Sequence, residues 1–222
     1  MKKAVVLMAL TLAISLVAGV AHAEFTPKFS VKLDNTKVNG NPAMNFYLEF
    51  DEEDDEIGLF TGFIPKGFTI ATDEQIPNNE KIGSGVIQIR GGLDCRPGPE
   101  GQIPLGANAT VPATFYEKAV TDDEADSGVI AVWLLDLEPL NRVRLLVKGS
   151  PTTGYSISGA PTPSDNTCNP LTADLTINAK SQSGVPIMTN PATAGKKVFK
   201  AEITSQDSPE IAKFKQAITI TK

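Results

Sequence analysis

The sequence predicts an all-β protein, an antiparallel β-sandwich of the immunoglobulin-like or jelly-roll-like kind with long loops rich in proline and glycine. Three observations predict this class. Apolar and polar residues alternate with a period of two along many short segments, turn-forming residues separate these segments, and helical periodicity is scarce. Because successive side chains of a strand point to opposite faces, each such segment buries one face, and two packed sheets can cover those faces.

Residues 1–23 have the pattern of a secretory signal peptide. Lys2 and Lys3 precede an uncharged apolar run over residues 4–20, and Ala21-His22-Ala23 matches the A-x-A cleavage pattern. We therefore expect cleavage after Ala23, with an uncleaved anchor as the alternative. The expected product is one β-sandwich domain over residues 24–222, in the periplasm or outside the cell. No second long apolar segment follows, so we expect no membrane span after signal removal.

The predicted strands extend over the whole remaining chain. Alternation over residues 29–33 and 44–50, with turn residues between, predicts a hairpin or two adjacent strands. Further predicted strands span 67–71, 86–90, 110–118, 129–137, 142–148, 171–177, 198–204 and 214–221. The run 129–137 is apolar on both faces, which predicts a central strand with Trp133 in the core. We expect it to pair antiparallel with 142–148, since only a short turn separates them.

Two segments interrupt this pattern. Residues 149–170 are rich in Gly, Pro, Ser, Thr and Asn, with a brief apolar interruption at Tyr155 and Ile157, and are interpreted as a linker or a long surface loop. Residues 171–222 hold too few apolar anchors for a core of their own, which favours one sandwich for the whole chain. Helix is scarce: Ser208 could cap a short helical turn, but residues 218–221 favour strand at the end of the chain.

The two cysteines, Cys95 and Cys168, are expected to form a disulfide, since an exported chain meets oxidising conditions. Such a bridge would stabilise the fold by roughly 4 kcal/mol in the entropic description. Two separate buried thiols are the alternative.

The chain is acidic, with 20 Lys and Arg against 26 Asp and Glu. Removal of the signal peptide takes away Lys2 and Lys3, so the net charge falls from −6 to −8. This sign argues against nucleic acid and against anionic membranes as partners.

The only histidine is His22, so the exported chain has none. This excludes histidine-based nucleophile systems and the common zinc and copper sites. Gly83-Ser84-Gly85 lacks the spacing of a nucleophile elbow and is interpreted as a structural turn. No nucleotide, haem or iron–sulfur motif is present, so we expect a protein that is not an enzyme and that needs no cofactor except, as one alternative, Ca²⁺.

An acidic run, Asp51 to Glu56, directly follows the second predicted strand. Oxygen ligands suit Ca²⁺, and Asp51, Glu53, Asp54 and Asp55 are the candidate ligands, with a solvated loop as the alternative. A second acidic cluster spans residues 122–126. If the two clusters lay at the same end of a sandwich, paired carboxylates could support glycoside hydrolysis, which is a further alternative.

Other binding functions predict other features. A carrier of a small ligand or carbohydrate would need a pocket lined by Tyr47, Tyr116 or Tyr155. An outer-membrane barrel is the architectural rival, although the chain lacks the aromatic residues that form its girdles.

The stretch Phe63-Ile64-Pro65-Lys66-Gly67-Phe68, followed by Lys81-Ile82-Gly83-Ser84-Gly85-Val86, resembles a pattern of uncharacterised secreted bacterial β-sandwich proteins. A looser similarity extends over residues 171–199. Those proteins often carry a cysteine before the glycine pair, where this chain has Pro77-Asn78-Asn79-Glu80. The resemblance implies a secreted sandwich and no activity.

Together these features favour an exported non-enzymatic interaction or structural module at the cell envelope or outside the cell. Its expected partner is a protein or a glycan, with Ca²⁺ dependence as a special case.

Overall fold

A computed structural model describes residues 25–51, 57–91, 106–137, 141–160, 169–205 and 210–222. The protein is nearly all-β, 63% strand and 3% helix, which confirms the all-β part of the prediction. The described elements are β1 (Lys28–Leu33), β2 (Met44–Glu49), β3 (Ile57–Ile64), β4 (Thr69–Ile70), β5 (Lys81–Arg90), β6 (Asn108–Lys118), α1 (Asp122–Asp126), β7 (Val129–Leu137), β8 (Asn141–Ser150), β9 (Gly154–Gly159), β10 (Asn169–Ile177), β11 (Met188–Thr189), β12 (Gly195–Ser205) and β13 (Ile211–Ile220).

Eleven of these strands form one large antiparallel sheet. Their order is β1-β2-β10-β5-β6-β7-β8-β9-β3-β12-β13, while β4 and β11 pair with each other as a separate small sheet. The large sheet curls until its edge strands β1 and β13 approach each other, so that it is nearly closed into a barrel. The right-handed twist between neighbouring strands accumulates over a sheet of this width and produces such curling.

Antiparallel pairing gives the curled sheet two ends. We call the end at which β1 begins the proximal end and the end at which β1 finishes the distal end. β2, β5, β7, β9 and β12 finish at the proximal end, and β3, β6, β8, β10 and β13 finish at the distal end. At the distal end, the buried residues Phe68, Ile70, Ile187 and Met188 of the β4–β11 region join the core.

The core lies inside the curl, on the alternate positions that the sequence pattern indicates. β7 is the sixth of the eleven strands and pairs antiparallel with β8, as predicted. Trp133 is 1% exposed and lies in this core, also as predicted. No helix in the described ranges is long and apolar enough to cross a membrane.

Several elements differ from the sequence prediction. The helix α1 and the short strand β11 were not predicted, and the helical turn expected at Ser208 lies outside the described residues. β3 was not predicted, because its glycines at 58 and 62 dilute the alternation. Residues 154–159, expected to be loop, form β9, in which Tyr155 and Ile157 face the core and small residues separate them. The triplet Gly83-Ser84-Gly85 is not a turn, because it lies within β5 beside a register shift between Lys81 and Gly83.

Candidate functional site

The outward side of β3, β12 and β13 carries an unusual mixture of apolar and basic side chains. Registers align Leu59 with Thr204 and Thr204 with Ile211, and they align Phe63 with Lys200 and Lys200 with Lys215. Of the four large apolar side chains that are exposed in the described part of the chain, three lie here: Leu59, Val198 and Ile211. We call this surface the basic face, defined by Leu59, Phe63, Lys196, Val198, Lys200, Ile211, Lys213 and Lys215.

The four lysines of the basic face are exposed and only partly neutralised. Lys213 Nζ lies 3.8 Å from the Glu202 carboxylate, a distance typical of a weak surface ion pair. Lys200 and Lys215 are directly opposite each other on β12 and β13, an arrangement of like charges that weakens strand pairing. In a chain of net charge −6, this local positive charge indicates a surface suited to an acidic partner.

Beside the basic face, β1 and β13 form an incomplete junction that we call the seam. At its proximal end, the Phe25 N–H donates to Glu210 Oε2 at 3.0 Å. At its distal end, the Val38 N–H donates to the Thr221 carbonyl at 2.8 Å. Between these two contacts no backbone hydrogen bond joins the fully described strands β1 and β13, and the Phe29 and Phe214 rings, 5.9 Å apart, fill the junction.

Hydrogen bonds show which backbone groups of β13 face the seam. The Ser205 N–H donates to the Glu210 carbonyl. Odd-numbered residues of β12 therefore direct their backbone N–H and C=O groups toward β13, where they pair with even-numbered residues. The backbone N–H and C=O groups of odd-numbered residues of β13 therefore point toward the seam. The hydrogen bond from the Thr221 N–H across the seam to the Thr36 carbonyl, at 2.7 Å, is consistent with this. The seam-facing residues within β13 are Ile211, Lys213, Lys215, Ala217 and Thr219.

Behind the seam, aromatic rings fill the interior. Phe29 contacts Phe46, Phe60 and Phe214, with ring centroids 5.9 to 6.4 Å apart. A hollow lined by Phe29, Phe46, Phe60 and Phe199 has room for about one water molecule. This packing makes the seam an apolar closure and leaves no space there for a drug-sized ligand.

The three tyrosines expected to line a ligand pocket do not converge. Tyr155 is 4% exposed and faces the core, where its hydroxyl accepts a hydrogen bond from the Ile70 N–H at 3.3 Å. Tyr47 and Tyr116 lie on the opposite side of the sheet, because their neighbours Leu48 and Phe115 face the core. The described residues therefore give no tyrosine-lined pocket of the predicted kind.

The predicted calcium ligands are only partly within the described residues. Asp51 is exposed at the proximal end, where its carboxylate accepts a hydrogen bond from the Thr26 hydroxyl at 3.4 Å. Glu53, Asp54 and Asp55 lie outside the described residues. No cluster of potential metal ligands occurs in the ranges that are described. The calcium site thus stays a prediction.

The second acidic cluster forms α1 at the distal end. Thr121 caps this helix together with Glu124, which completes a capping box. Glu124 also accepts two hydrogen bonds from Arg144, at 2.7 and 2.8 Å, and these contacts lower the pKa of Glu124 to about 2. Asp51 lies at the proximal end and α1 at the distal end, while residues 52–56 lie outside the described residues, so a pairing of carboxylates from the two clusters stays a prediction.

A buried acid that the sequence analysis overlooked lies at the distal end of β6. Glu117 is fully buried and faces Trp133, its Cα partner on β7. Its two carboxyl oxygens and the Trp133 indole nitrogen have no hydrogen-bond partner. Burial raises the pKa of Glu117 to about 8, and nearby Asp73 raises it further; the Val132 backbone and Trp133 lie close and lower it, without reaching hydrogen-bond geometry.

The predicted disulfide also involves residues outside the described ranges. The structure shows no disulfide among the residues that it describes, and Cys95 and Cys168 both lie beyond them. Near them in the chain, Arg90 of β5 and Asn169 of β10 are Cα partners on adjacent strands. The disulfide remains a prediction.

No protein-family model matches the chain, and no curated protein matches its sequence. The stretch that carries the resemblance to secreted sandwich proteins begins at the end of β3 and continues into β5.

Proposed function

We propose that the protein is an exported, non-enzymatic interaction module that acts at the cell envelope or outside the cell and binds an acidic protein partner through the basic face. The observation that carries this proposal is the concentration of exposed apolar side chains and lysines on β3, β12 and β13. Exposed apolar groups supply the burial that drives association, and lysines select the partner by charge.

The finer architecture and the compartment belong to the same proposal. We regard the curled sheet as a flattened sandwich, since Phe29 and Phe46 of β1 and β2 contact the same hollow as Phe60 and Phe199 of β3 and β12. Export by the signal peptide over residues 1–23 and a disulfide between Cys95 and Cys168 complete the proposal. Export would bring the chain to a compartment in which the disulfide persists.

The proposal predicts that charge reversal on the basic face abolishes partner capture. The double variant Lys200→Glu, Lys215→Glu should capture about one tenth or less of the partner that the unaltered protein captures. Close charge pairs with the partner are lost, and repulsion replaces them. The measurement is affinity capture from an envelope extract of the source organism, with the retained proteins identified and quantified by mass spectrometry.

A matched control carries the same change in net charge elsewhere. Lys81→Glu, Lys180→Glu alters two exposed lysines outside the basic face and should retain the partner as the unaltered protein does. Equal loss in both double variants would show a nonspecific charge effect, and unchanged capture by the Lys200 and Lys215 variant would refute the proposal.

Calcium dependence is a separate prediction about the acidic run. If Asp54 and Asp55 bind Ca²⁺, the unfolding midpoint of the purified protein should rise by several degrees in millimolar Ca²⁺ and return with excess chelator. A ligand at 100 times its dissociation constant stabilises the native state by about 2.7 kcal/mol. The double variant Asp54→Asn, Asp55→Asn should not respond. An unchanged midpoint in the unaltered protein would identify the run as a solvated loop.

A further inference from the structure

The seam has the features of a strand-binding site. β13 is a ten-residue edge strand whose odd-numbered residues direct their backbone N–H and C=O groups toward β1 without pairing with it. Unpaired edges of this kind accept additional strands. β1 and β13 both run from the proximal to the distal end, so one inserted strand could be antiparallel to both.

The side chains around the seam indicate what such a strand must carry. On the outward side, exposed Lys28 and Lys32 of β1 and exposed Lys213 and Lys215 of β13 border the seam. Lys28 pairs with Glu49 of β2, on the side of β1 away from the seam, with its Nζ 2.5 Å from the carboxylate, so Lys32, Lys213 and Lys215 carry the positive charge at this border. On the inward side, Phe29 and Phe214 lie closest to the junction.

We propose that the seam takes up an extended segment of the partner protein in which acidic residues alternate with apolar ones. This inference rests on the proposed function and specifies its partner. The segment runs antiparallel to β1 and β13 and pairs with the seam-facing backbone of β13. Its acidic side chains contact Lys32, Lys213 and Lys215, and its apolar side chains replace the contact between Phe29 and Phe214.

Uptake requires the seam to widen by about one strand spacing, ~4.8 Å. The hydrogen bonds described at its two ends include the Phe25 N–H to Glu210 at the proximal end and the backbone bonds of Thr221 with Thr36 and Val38 at the distal end, and widening the seam must loosen such contacts. New backbone hydrogen bonds along β13 and burial of apolar side chains of the segment against the phenylalanines offset the loss of the ring contact.

The lysines beside the seam have a second possible role, and the experiment must distinguish it from binding of an acidic segment. Charged side chains on edge strands, lysine above all, protect a sheet from pairing with another copy. A seam that is merely protected would bind no acidic segment. A seam that pairs with a second copy of this chain would give a dimer instead.

The test uses the purified protein and a synthetic ten-residue peptide in which glutamate alternates with valine. Fluorescence anisotropy should show saturable binding, and hydrogen exchange should slow at the seam-facing amides of β13. The variant Lys213→Glu, Lys215→Glu should weaken binding at least about tenfold, and added salt should weaken binding to the unaltered protein, because both act on the lysine–glutamate contacts.

Two control peptides leave the protein fold untouched. N-methylation at alternate residues keeps the charge and the side chains but removes the donors of one peptide edge, so it should abolish binding. Replacement of each glutamate of the peptide by lysine should also abolish binding. Equal binding of the N-methylated peptide would overturn strand addition.

The remaining outcomes are also decisive. If the peptide fails to bind while partner capture still depends on Lys200 and Lys215, strand addition is wrong and the proposed function stands. If capture is also insensitive to those lysines, both proposals are wrong. A dimer in sedimentation that excess peptide does not dissociate would assign the seam to a second copy and overturn the inference.

Discussion

Replacing Glu117 by glutamine should make the protein markedly more stable at alkaline pH and remove a large part of its pH dependence above pH 5. The pKa of Glu117 rises from an ordinary 4.5 to about 8 in the folded protein, because burial disfavours the charged form. Between these two values the native state binds a proton that the unfolded chain releases. The free energy of unfolding therefore falls as pH increases through this window.

The size of this effect follows from the same linkage. A shift of this extent corresponds to about 2 to 5 kcal/mol of stability, fully present below pH 4.5 and lost as pH rises through 8. Glutamine has nearly the same shape and no acidic proton. We therefore expect the Glu117→Gln variant to match the unaltered protein near pH 4 and to exceed it by that amount near pH 9.

Urea unfolding at pH 4, 7 and 9 measures the difference, with Glu74→Gln, an exposed acid, as the control that should leave the profile unchanged. Trp133 offers a second readout, because it is the only tryptophan and faces Glu117. Its emission should titrate near pH 8 in the folded protein and should not do so in Glu117→Gln. Parallel stability profiles for Glu117→Gln and the unaltered protein would show that Glu117 is charged or solvated in the native state.

The sequence contained the signal for Glu117, although the sequence analysis did not use it. In β6, Val111, Ala113 and Phe115 occupy the buried alternate positions, and the next such position is Glu117. A period of two thus predicts a buried carboxylate once the strand is correctly assigned. The lysines of β12 and β13 also alternate with apolar residues, but only the pairing of β3 with β12 brings Leu59 and Phe63 next to them.

Long-range closure could not be predicted from local patterns. Most predicted strands exist because their alternation is strong, whereas β9 carries only Tyr155 and Ile157 between small residues. The order that places β13 beside β1 depends on pairings between segments far apart in the chain, such as β2 with β10. Local alternation therefore predicts the strands, while the seam arises from register and curling that no single segment encodes.

Replacing Gly85 by alanine should strongly destabilise the fold, by about 3 kcal/mol or more. An added Cβ at this position would lie 2.1 Å from the Asp174 carbonyl oxygen and 2.8 Å from the Leu175 Cα. Both atoms belong to the backbone of β10, so a side-chain rotation cannot relieve the clash and the two strands must separate. Because β10 joins β5 to β2, the strain would act on the middle of the large sheet.

The neighbouring Ser84 provides the matched control, because it lies on the same strand with its side chain on the opposite side of the sheet. Ser84→Ala should change the free energy of unfolding by about 0.5 kcal/mol or less. Urea unfolding of Gly85→Ala, Ser84→Ala and the unaltered protein would measure both effects. A large loss in Gly85→Ala alone would show that the glycine in this strand exists for the close approach of β10 and has no turn-forming role. Similar stability of all three proteins would mean that β5 and β10 are farther apart than the register implies.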